Sequence, residues 1–506
     1  MRSSWRATVA AGFLITALVG CGTAPATPSI STPQDSATAA APGNDRPADP
    51  ANQPNIVFVL TDDLSMNLLK HLPAVDTLRE DGTTFTNYFV TNSLCCPSRT
   101  TIMTGKYSHN TGIFRNHGAT GGYRAFRSKH LDQDTFATDL QQAGYRTAMM
   151  GKFLNEYETG TTDTPSLNQP AGWDEWALGA DAYKNYDYNL NQTGEVVHYG
   201  NQPEDYLTDV ISERGRDFIE RTAAAKQPFL LEISTYTPHK PYTPAERHKH
   251  LFKDAKVPRV KSYDEQNTNA PKWLAGQELT AAQKKKMDRQ YRKRLQSVQS
   301  VSDLIENLRG QLRKSGVEDN TYFVFASDNG YHMGEHAMVS GKMTAFSTDI
   351  NVPLVVVGPD VPAGAKVDEM AQSIDLRPTF TDVAGTRSPD AVDGTSLVPL
   401  WQGGSNDRNF VLVEHRGPNN DPNDPDVDTF RSPNPPNYGA LRGDDWLYVE
   451  YVTGEKEYYD RAKDPSERHN IAGELSKAEL NDLHTKLKTA EACSGFVACR
   501  LAQAAS

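Results

Sequence analysis

Two of the five cysteines stand side by side, Cys95 and Cys96, in the run Asn92-Ser93-Leu94-Cys95-Cys96-Pro97-Ser98-Arg99 that continues to Gly105. A cysteine followed four residues later by an arginine is a chemical pattern, because a fixed cation lowers a thiol pKa and the thiolate is the nucleophile. From residue chemistry alone, Cys95 reads as a nucleophile activated by Arg99 and a neighbouring cation. The intervening Pro97 argues against regular helix over this segment. Two further clusters, Asp62-Asp63 and Asp328-Asn329, offer hard oxygen ligands that suit calcium or magnesium better than a soft transition metal. The plainer reading of each pair is a helix cap, a common role for Asp and Asn.

These residues sit where an α/β fold would put them to use. Asn55 to Leu60 and Thr321 to Ala326 are short continuous apolar runs, the pattern of strands buried on both faces, and an acidic cluster follows each at its carboxyl end. In open α/β sheets ligands bind in the crevice beyond the carboxyl ends of the strands, so the two clusters are expected to converge. Arg146 to Met150, Phe229 to Ser234 and Val352 to Val357 are further strand-like runs. Tyr206 to Glu220 and Tyr291 to Leu308 carry apolar residues at helical spacing. Such alternation predicts a mostly parallel sheet flanked by helices. After about Pro399, three short strand candidates (Phe410 to Val413, Tyr438 to Leu441, Trp446 to Tyr451) and a helical tail from Lys477 predict a smaller antiparallel α+β domain.

The amino terminus carries an address. Arg2 and Arg6 precede the apolar run Val9 to Val19, too short to span a bilayer, which ends in Leu18-Val19-Gly20-Cys21. This resembles the lipobox of bacterial lipoproteins, where the cysteine is lipidated. The alternative is an ordinary cleaved signal. Gly22 to about Pro54 is rich in Ala, Pro, Thr, Ser and Asp and reads as a disordered tether. The expected organisation is therefore a signal over 1–21, a tether over 22–54, a catalytic domain over 55–400 and a small domain over 401–506, exported to the cell envelope and touching the membrane only through its lipid. Exported proteins usually oxidise their thiols, and Cys493 and Cys499 are placed either to close a small disulfide loop or to remain free. The net charge of -12 argues against a nucleic-acid binder. The basic run Lys284, Lys285, Lys286, Arg289, Arg292, Lys293 and Arg294 reads most simply as a solvated helix face, and otherwise as an attractor of polyanionic glycans.

The segment from Cys95 to Gly105 resembles the sulfatase signature C-x-P-S-R followed by T-G, more narrowly the C-C-P-S-R variant of the glucosamine-6-sulfatase and heparan sulfatase branch. Supporting blocks run in family order from Pro54 to about Gly385, and Tyr458-Tyr459-Asp460 with Asp464-Pro465-Ser466-Glu467 resembles the family's C-terminal segment. The resemblance implies an alkaline-phosphatase-like fold and a sulfuric ester hydrolase. It implies that a formylglycine-generating enzyme oxidises Cys95 to formylglycine, whose hydrate attacks the sulfur of a sulfated sugar or aryl substrate. It assigns Asp62, Asp63, Cys95, Asp328 and Asn329 to a metal, calcium with magnesium as the alternative, and Asp328 also to the proton of the hydrate. Arg99 would hold the modified residue, Lys152 would grip the sulfate, and His239 and Lys342 would protonate the leaving oxygen.

Two departures stand out. Many sulfatases carry a histidine where this chain has Leu154, which leaves the base that regenerates the aldehyde open; His109 is the candidate, with His332 behind it. Ser347 stands where many relatives have glutamate, a change expected to alter substrate contacts. The competing readings are a phosphatase or phosphonate hydrolase of the same fold, and a non-catalytic lipoprotein that binds sulfated glycans.

Overall fold

The computed structural model describes residues 53–163, 168–420, 424, 426 and 434–505, all within the compact unit Pro47–Ser506. The signal with Cys21 and the tether up to Asn52 lie outside the described residues. Among those described, no helix is long and apolar enough to cross a membrane.

The strand Asn55–Thr61 is buried throughout, and its side chains divide by the alternation that a pleat imposes. Ile56, Phe58 and Leu60 join one apolar core, while Val57 and Val59 join another on the opposite face of the sheet. Two cores need two covering layers. The helices Leu207–Ala224 and Ala281–Lys314 cover the face of Val57, and Phe136–Gln142, Leu376–Val383 and Cys95–Thr104 lie on the face of Phe58.

Among the described residues the sheet has ten strands, and its central five, Thr321–Ser327, Asn55–Thr61, Phe229–Ser234, Arg146–Lys152 and Glu175–Gly179, run parallel as neighbours in that order. Register matters most for function. Leu60 lies opposite both Ser234 and Ala326, and Gly151 opposite Ser234. Four adjacent strands therefore release Lys152, Thr235, Asp62 and Asp328 at one level of one edge.

The remaining strands differ from the sequence reading. The run Val352 to Val357 forms Leu354–Val357 and pairs antiparallel with its neighbours. The hairpin Tyr188–Gln192 and Glu195–Tyr199 extends the opposite edge, its polar residues giving no strand signal. Pro97 does not prevent helix: it occupies the first turn of Cys95–Thr104, where its missing N–H has no partner to lose. The predicted helix at Tyr291 to Leu308 starts ten residues earlier, at Ala281, because Thr280 and Gln283 close a reciprocal cap. The basic run lies on it, but its last member, Arg294, is fully buried and not solvated.

Val411–His415, Tyr438–Arg442, Trp446–Tyr451 and Lys456–Asp460 form an antiparallel sheet. Leu412, Leu441 and Tyr448 face the helices Lys477–Glu491 and Phe496–Gln503, whereas Val413, Ala440 and Val449 share the buried core of the larger sheet. Cys493, in the loop that follows Lys477–Glu491, forms a disulfide with Cys499 of Phe496–Gln503.

Candidate active site

Three strands of the parallel set end in polar residues that meet at a common point. Asp62 and Asp63 follow Asn55–Thr61, with Asp63 in the left-handed region at φ 62°. Asp328 and Asn329 follow Thr321–Ser327 and are tied back by Asp328 N–H donating to the Thr61 carbonyl at 3.0 Å. Lys152 is the last residue of its strand, and the residue before it must be glycine: a Cβ on Gly151 would lie 2.0 Å from the Ser234 carbonyl oxygen. Opposite this edge stands the amino terminus of Cys95–Thr104, whose dipole favours negative charge.

The cluster so assembled is buried and closely coupled. The Cys95 thiol donates to Asp62 Oδ1 at 3.2 Å and receives the Lys342 ammonium at 2.8 Å. Lys342 also donates to Asp63 Oδ1 at 2.6 Å, and Lys152 donates to Asp62 Oδ2 at 2.6 Å. Arg99 Nε donates to Asp328 Oδ2 at 2.8 Å and its Nη1 to the Lys152 carbonyl at 3.2 Å. His239 Nε2 lies 3.7 Å from Asp63 Oδ2. The structure thus brings together Cys95, Arg99, Lys152, His239, Lys342, Asp62, Asp63, Asp328 and Asn329.

The electrostatics depart from the thiolate reading. Burial, reinforced by Asp62, pushes the Cys95 thiol well above its usual range, and Lys152 and Lys342 do not reverse this. Arg99 is spent on Asp328. Of the two acids, the one in hydrogen-bond reach of Cys95 is Asp62; the oxygens of Asp328 receive the Asp63 N–H at 3.1 Å and Arg99. Burial disfavours the charged forms of Lys152 and Lys342, yet the surrounding carboxylates hold both ammonium pKa values well above normal. His239 is likewise raised against its burial by Asp62, Asp63 and Asp426.

His109 is not part of this cluster. Its Nδ1 meets Glu414 at 2.9 Å and its Nε2 the Cys493 carbonyl at 2.8 Å, so both ring nitrogens join the C-terminal sheet and the disulfide loop. His332 is buried against Asp349 at 3.0 Å. Leu154 turns into the apolar core, and the polar neighbour on that loop is Asn155, which donates to the Tyr183 hydroxyl at 3.3 Å. Ser347 is held by Glu467, which accepts from the Ser347 N–H at 2.9 Å and from its hydroxyl at 2.6 Å, and also from Arg461.

Three residues of the site escaped the sequence reading. Asp426 Oδ1 accepts from His239 Nε2 at 2.8 Å and lies 2.9 Å from Lys342 Nζ, while its Oδ2 is 3.8 Å from Cys95 Sγ. Asn116 accepts the Cys96 N–H at 3.0 Å and donates to Asp426 Oδ2 at 2.8 Å. Tyr183 places its ring 5.0 Å from Lys152 Nζ and 4.6 Å from the His239 ring. None stands in a motif; the Asp-rich composition around Asp426 was the single available cue.

The buried cluster of Asp62, Asp63, Cys95 and His239 could hold a metal ion. Carboxylate oxygens of Asp62 and Asp63 lie within 4.8 Å of Cys95 Sγ and a His239 nitrogen, and two buried oxygens, Asp63 Oδ2 and Asn329 Oδ1, have no hydrogen-bond partner.

Comparison with known proteins agrees. The sulfatase family profile matches residues 54–386, and the profile described as N-sulphoglucosamine sulphohydrolase, C-terminal, matches 334–492. The human N-acetylglucosamine-6-sulfatase is 34% identical over 477 residues, covering 88% of this chain and 85% of that protein. The N-acetylglucosamine-6-O-sulfatase of Bacteroides thetaiotaomicron is 26% identical, covering 84% of each. Among solved structures, BT4656 in complex with its substrate D-glucosamine-2-N,6-O-disulfate superimposes with a TM-score of 0.71 at 24% identity, over 86% of this chain and 97% of that one. With the profile spanning most of the folded chain and these relatives matching it nearly end to end, the chain belongs to the sulfatase family and is a sulfuric ester hydrolase.

Proposed function

We propose that this sulfatase, exported to a bacterial cell envelope in which Cys21 anchors it through lipid, removes a 6-O-sulfate from a glucosamine-type residue of sulfated glycans. The observation that carries the reading is the Cys95 position itself. It sits at a helix amino terminus and is ringed by Lys152, Lys342 and His239, a buried setting for a sulfuryl group whose oxygens gain charge during transfer. The carboxylate of Asp426, held between His239 and Lys342, marks where an anionic oxygen is stabilised. The named activities of the glucosamine-6-sulfatase relatives supply the sugar.

In this reading Cys95, oxidised to formylglycine by a formylglycine-generating enzyme, supplies the nucleophile. Calcium held by Asp62, Asp63, Asp328 and Asn329 would polarise a sulfate oxygen. The chain's own groups do the rest. Lys152 grips the sulfate, its ammonium fixed between Asp62 and the Tyr183 ring. His239 donates a proton toward the leaving oxygen, with its Nδ1 fixed by the Lys240 carbonyl at 2.7 Å and its other nitrogen aimed inward. Lys342 neutralises the charge that develops beside it. Arg99 locks Asp328.

A phosphonate monoester hydrolase of Agrobacterium radiobacter shares the fold, with a TM-score of 0.65 at 21% identity over 87% of this chain and 96% of that one. Rates on 4-nitrophenyl sulfate, the matching phosphate and N-acetylglucosamine-6-sulfate separate the readings. Faster turnover of the sulfates is expected; a preference for the phosphate would defeat the proposal.

A further inference from the structure

On either side of Asn116 in the chain, Arg115 and His117 line a cleft of about 490 Å³ together with Phe114, Thr120, Arg416 and Asn437. It is built from two segments some 300 residues apart in sequence, the loop that follows Ser108–Thr111 and the chain leaving Val411–His415. The loop is held in shape by its own backbone. Phe114 and Arg115 N–H groups both donate to the Thr120 carbonyl, at 2.8 and 3.0 Å, and a Cβ on Gly121 would lie 2.2 Å from the Arg115 carbonyl oxygen. Arg416 is set by its guanidinium, 4.7 Å above the Phe114 ring.

The cleft gathers three basic side chains, one of which, His117, lies 3.5 Å from the buried Asp424 carboxylate. The chain carries a net charge of -12, yet among the described residues neither Arg115 nor Arg416 makes an ion pair or a hydrogen bond to a carboxylate through its side chain. Two half-buried guanidiniums facing one cleft repel each other, and a bound oxyanion relieves that cost. The planar fork of arginine matches sulfate and carboxylate in bidentate geometry. The chain also links the cleft to the chemistry. Asn116, which touches both Cys96 and Asp426, stands between Arg115 and His117, with neighbouring Cα atoms about 3.8 Å away.

We propose that this cleft binds a second anionic group of the substrate, a sulfate or a carboxylate, while the scissile sulfate occupies the Cys95 site. The inference rests on the sulfated-glycan reading and deepens it: the enzyme selects substrates that carry two negative charges a sugar ring or so apart. Asn116 couples the two positions, since one amide holds the Cys95 helix and the Asp426 carboxylate together.

Equilibrium binding to the full-length, metal-loaded Cys95→Ala protein tests this without turnover. The probes are glucosamine-6-sulfate, glucosamine-2-N,6-O-disulfate, and a disaccharide in which 6-O-sulfated glucosamine adjoins a uronate. A second anion is expected to tighten binding by about tenfold or more, the worth of a charge-assisted hydrogen-bond pair. Arg115→Gln with Arg416→Gln should return both charged probes to the level of the monosulfate. The same two substitutions in the protein with Cys95 intact should leave 4-nitrophenyl sulfate turnover unchanged. A gain from the N-sulfate places the second anion on the same sugar, and a gain from the uronate alone places it on the next; either supports the proposal. No gain from either probe, or a gain that survives both substitutions, overturns it. Binding of none of the sugars, with aryl sulfate turnover intact, overturns the sugar reading and this inference together.

Discussion

The ion pair between Arg99 and Asp328 offers a sharp test of how the site is held. The two side chains are 2% and 0% exposed, and Nε lies 2.8 Å from Oδ2. At an effective dielectric of about 20, that separation gives roughly 6 kcal/mol of attraction. Much of it offsets the cost of dehydrating both ions, so the intact pair contributes little net stability, but deleting one partner strands a buried charge at about 3–5 kcal/mol. Arg99→Met does this to Asp328 and also strips the Lys152 carbonyl of its donor. With about 2.1 cal/mol/K of unfolding entropy per residue over roughly 450 residues, 1 kcal/mol moves the midpoint by only about 1 °C. A thermal scan in chelator should therefore show Arg99→Met melting about 3–5 °C below the parent. Adding Asp328→Asn removes the stranded charge, so the double variant should recover about half of that loss while aryl sulfate turnover stays abolished in both. A double variant that melts no higher than Arg99→Met would refute the assignment of the cost to an uncompensated carboxylate.

Other outcomes follow from single contacts. His109→Ala should destabilise the protein by about 1–3 kcal/mol, because Glu414 and the Cys493 carbonyl lose a buried partner, yet leave kcat within about threefold; a collapse of kcat in stably folded protein would return His109 to the chemistry. Burial raises Glu232 from 4.5 to about 7. The folded state thus keeps a proton that the unfolded chain releases, and stability falls as pH rises through that window, by about 3 kcal/mol at pH 8. Glu232→Gln should flatten the dependence in urea titrations at pH 5 and pH 8, and an unchanged slope would count against it. Asp426→Asn removes one of the carboxylates that raise His239, so the alkaline limb of the pH–rate profile should move to lower pH; an unmoved limb would show that Asp426 does not tune the proton donor.

The parts of the fold that the sequence reveals are those with one energetic reason to exist. Asn55–Thr61 and Thr321–Ser327 are buried on both faces, so burial alone selects their uninterrupted apolar runs, and Asp62, Asp63, Asp328 and Asn329 are found by looking just beyond them. The hairpin Tyr188–Gln192 and Glu195–Tyr199 lies at the sheet edge, where polar side chains are tolerated and no pattern forms. The direction of Leu354–Val357 is set by its neighbours' register, which composition does not record. Pro97 misled because its cost depends on position in the helix, first turn or interior.

In the site, Lys152 is marked by its strand end, whereas His239 and Lys342 arrive on loops whose return to Cys95 only the family motifs signal. Asn116 and Asp426 lie some 300 residues apart and meet through tertiary docking, so local sequence carries no trace of the contact. Glu467 teaches the same lesson. Its carboxylate reaches Ser347 from the C-terminal segment, a contact between residues 120 apart that local sequence does not record.

The central claim is that Cys95 is the precursor of the nucleophile and not a thiolate, in keeping with the burial that holds its thiol protonated. Mass spectrometry of the proteolytic peptide containing Cys95, from active protein purified from its own host, tests it most directly. The account predicts an aldehyde or its hydrate in place of the thiol, in a fraction that tracks specific activity; an unmodified Cys95 in fully active enzyme would contradict it.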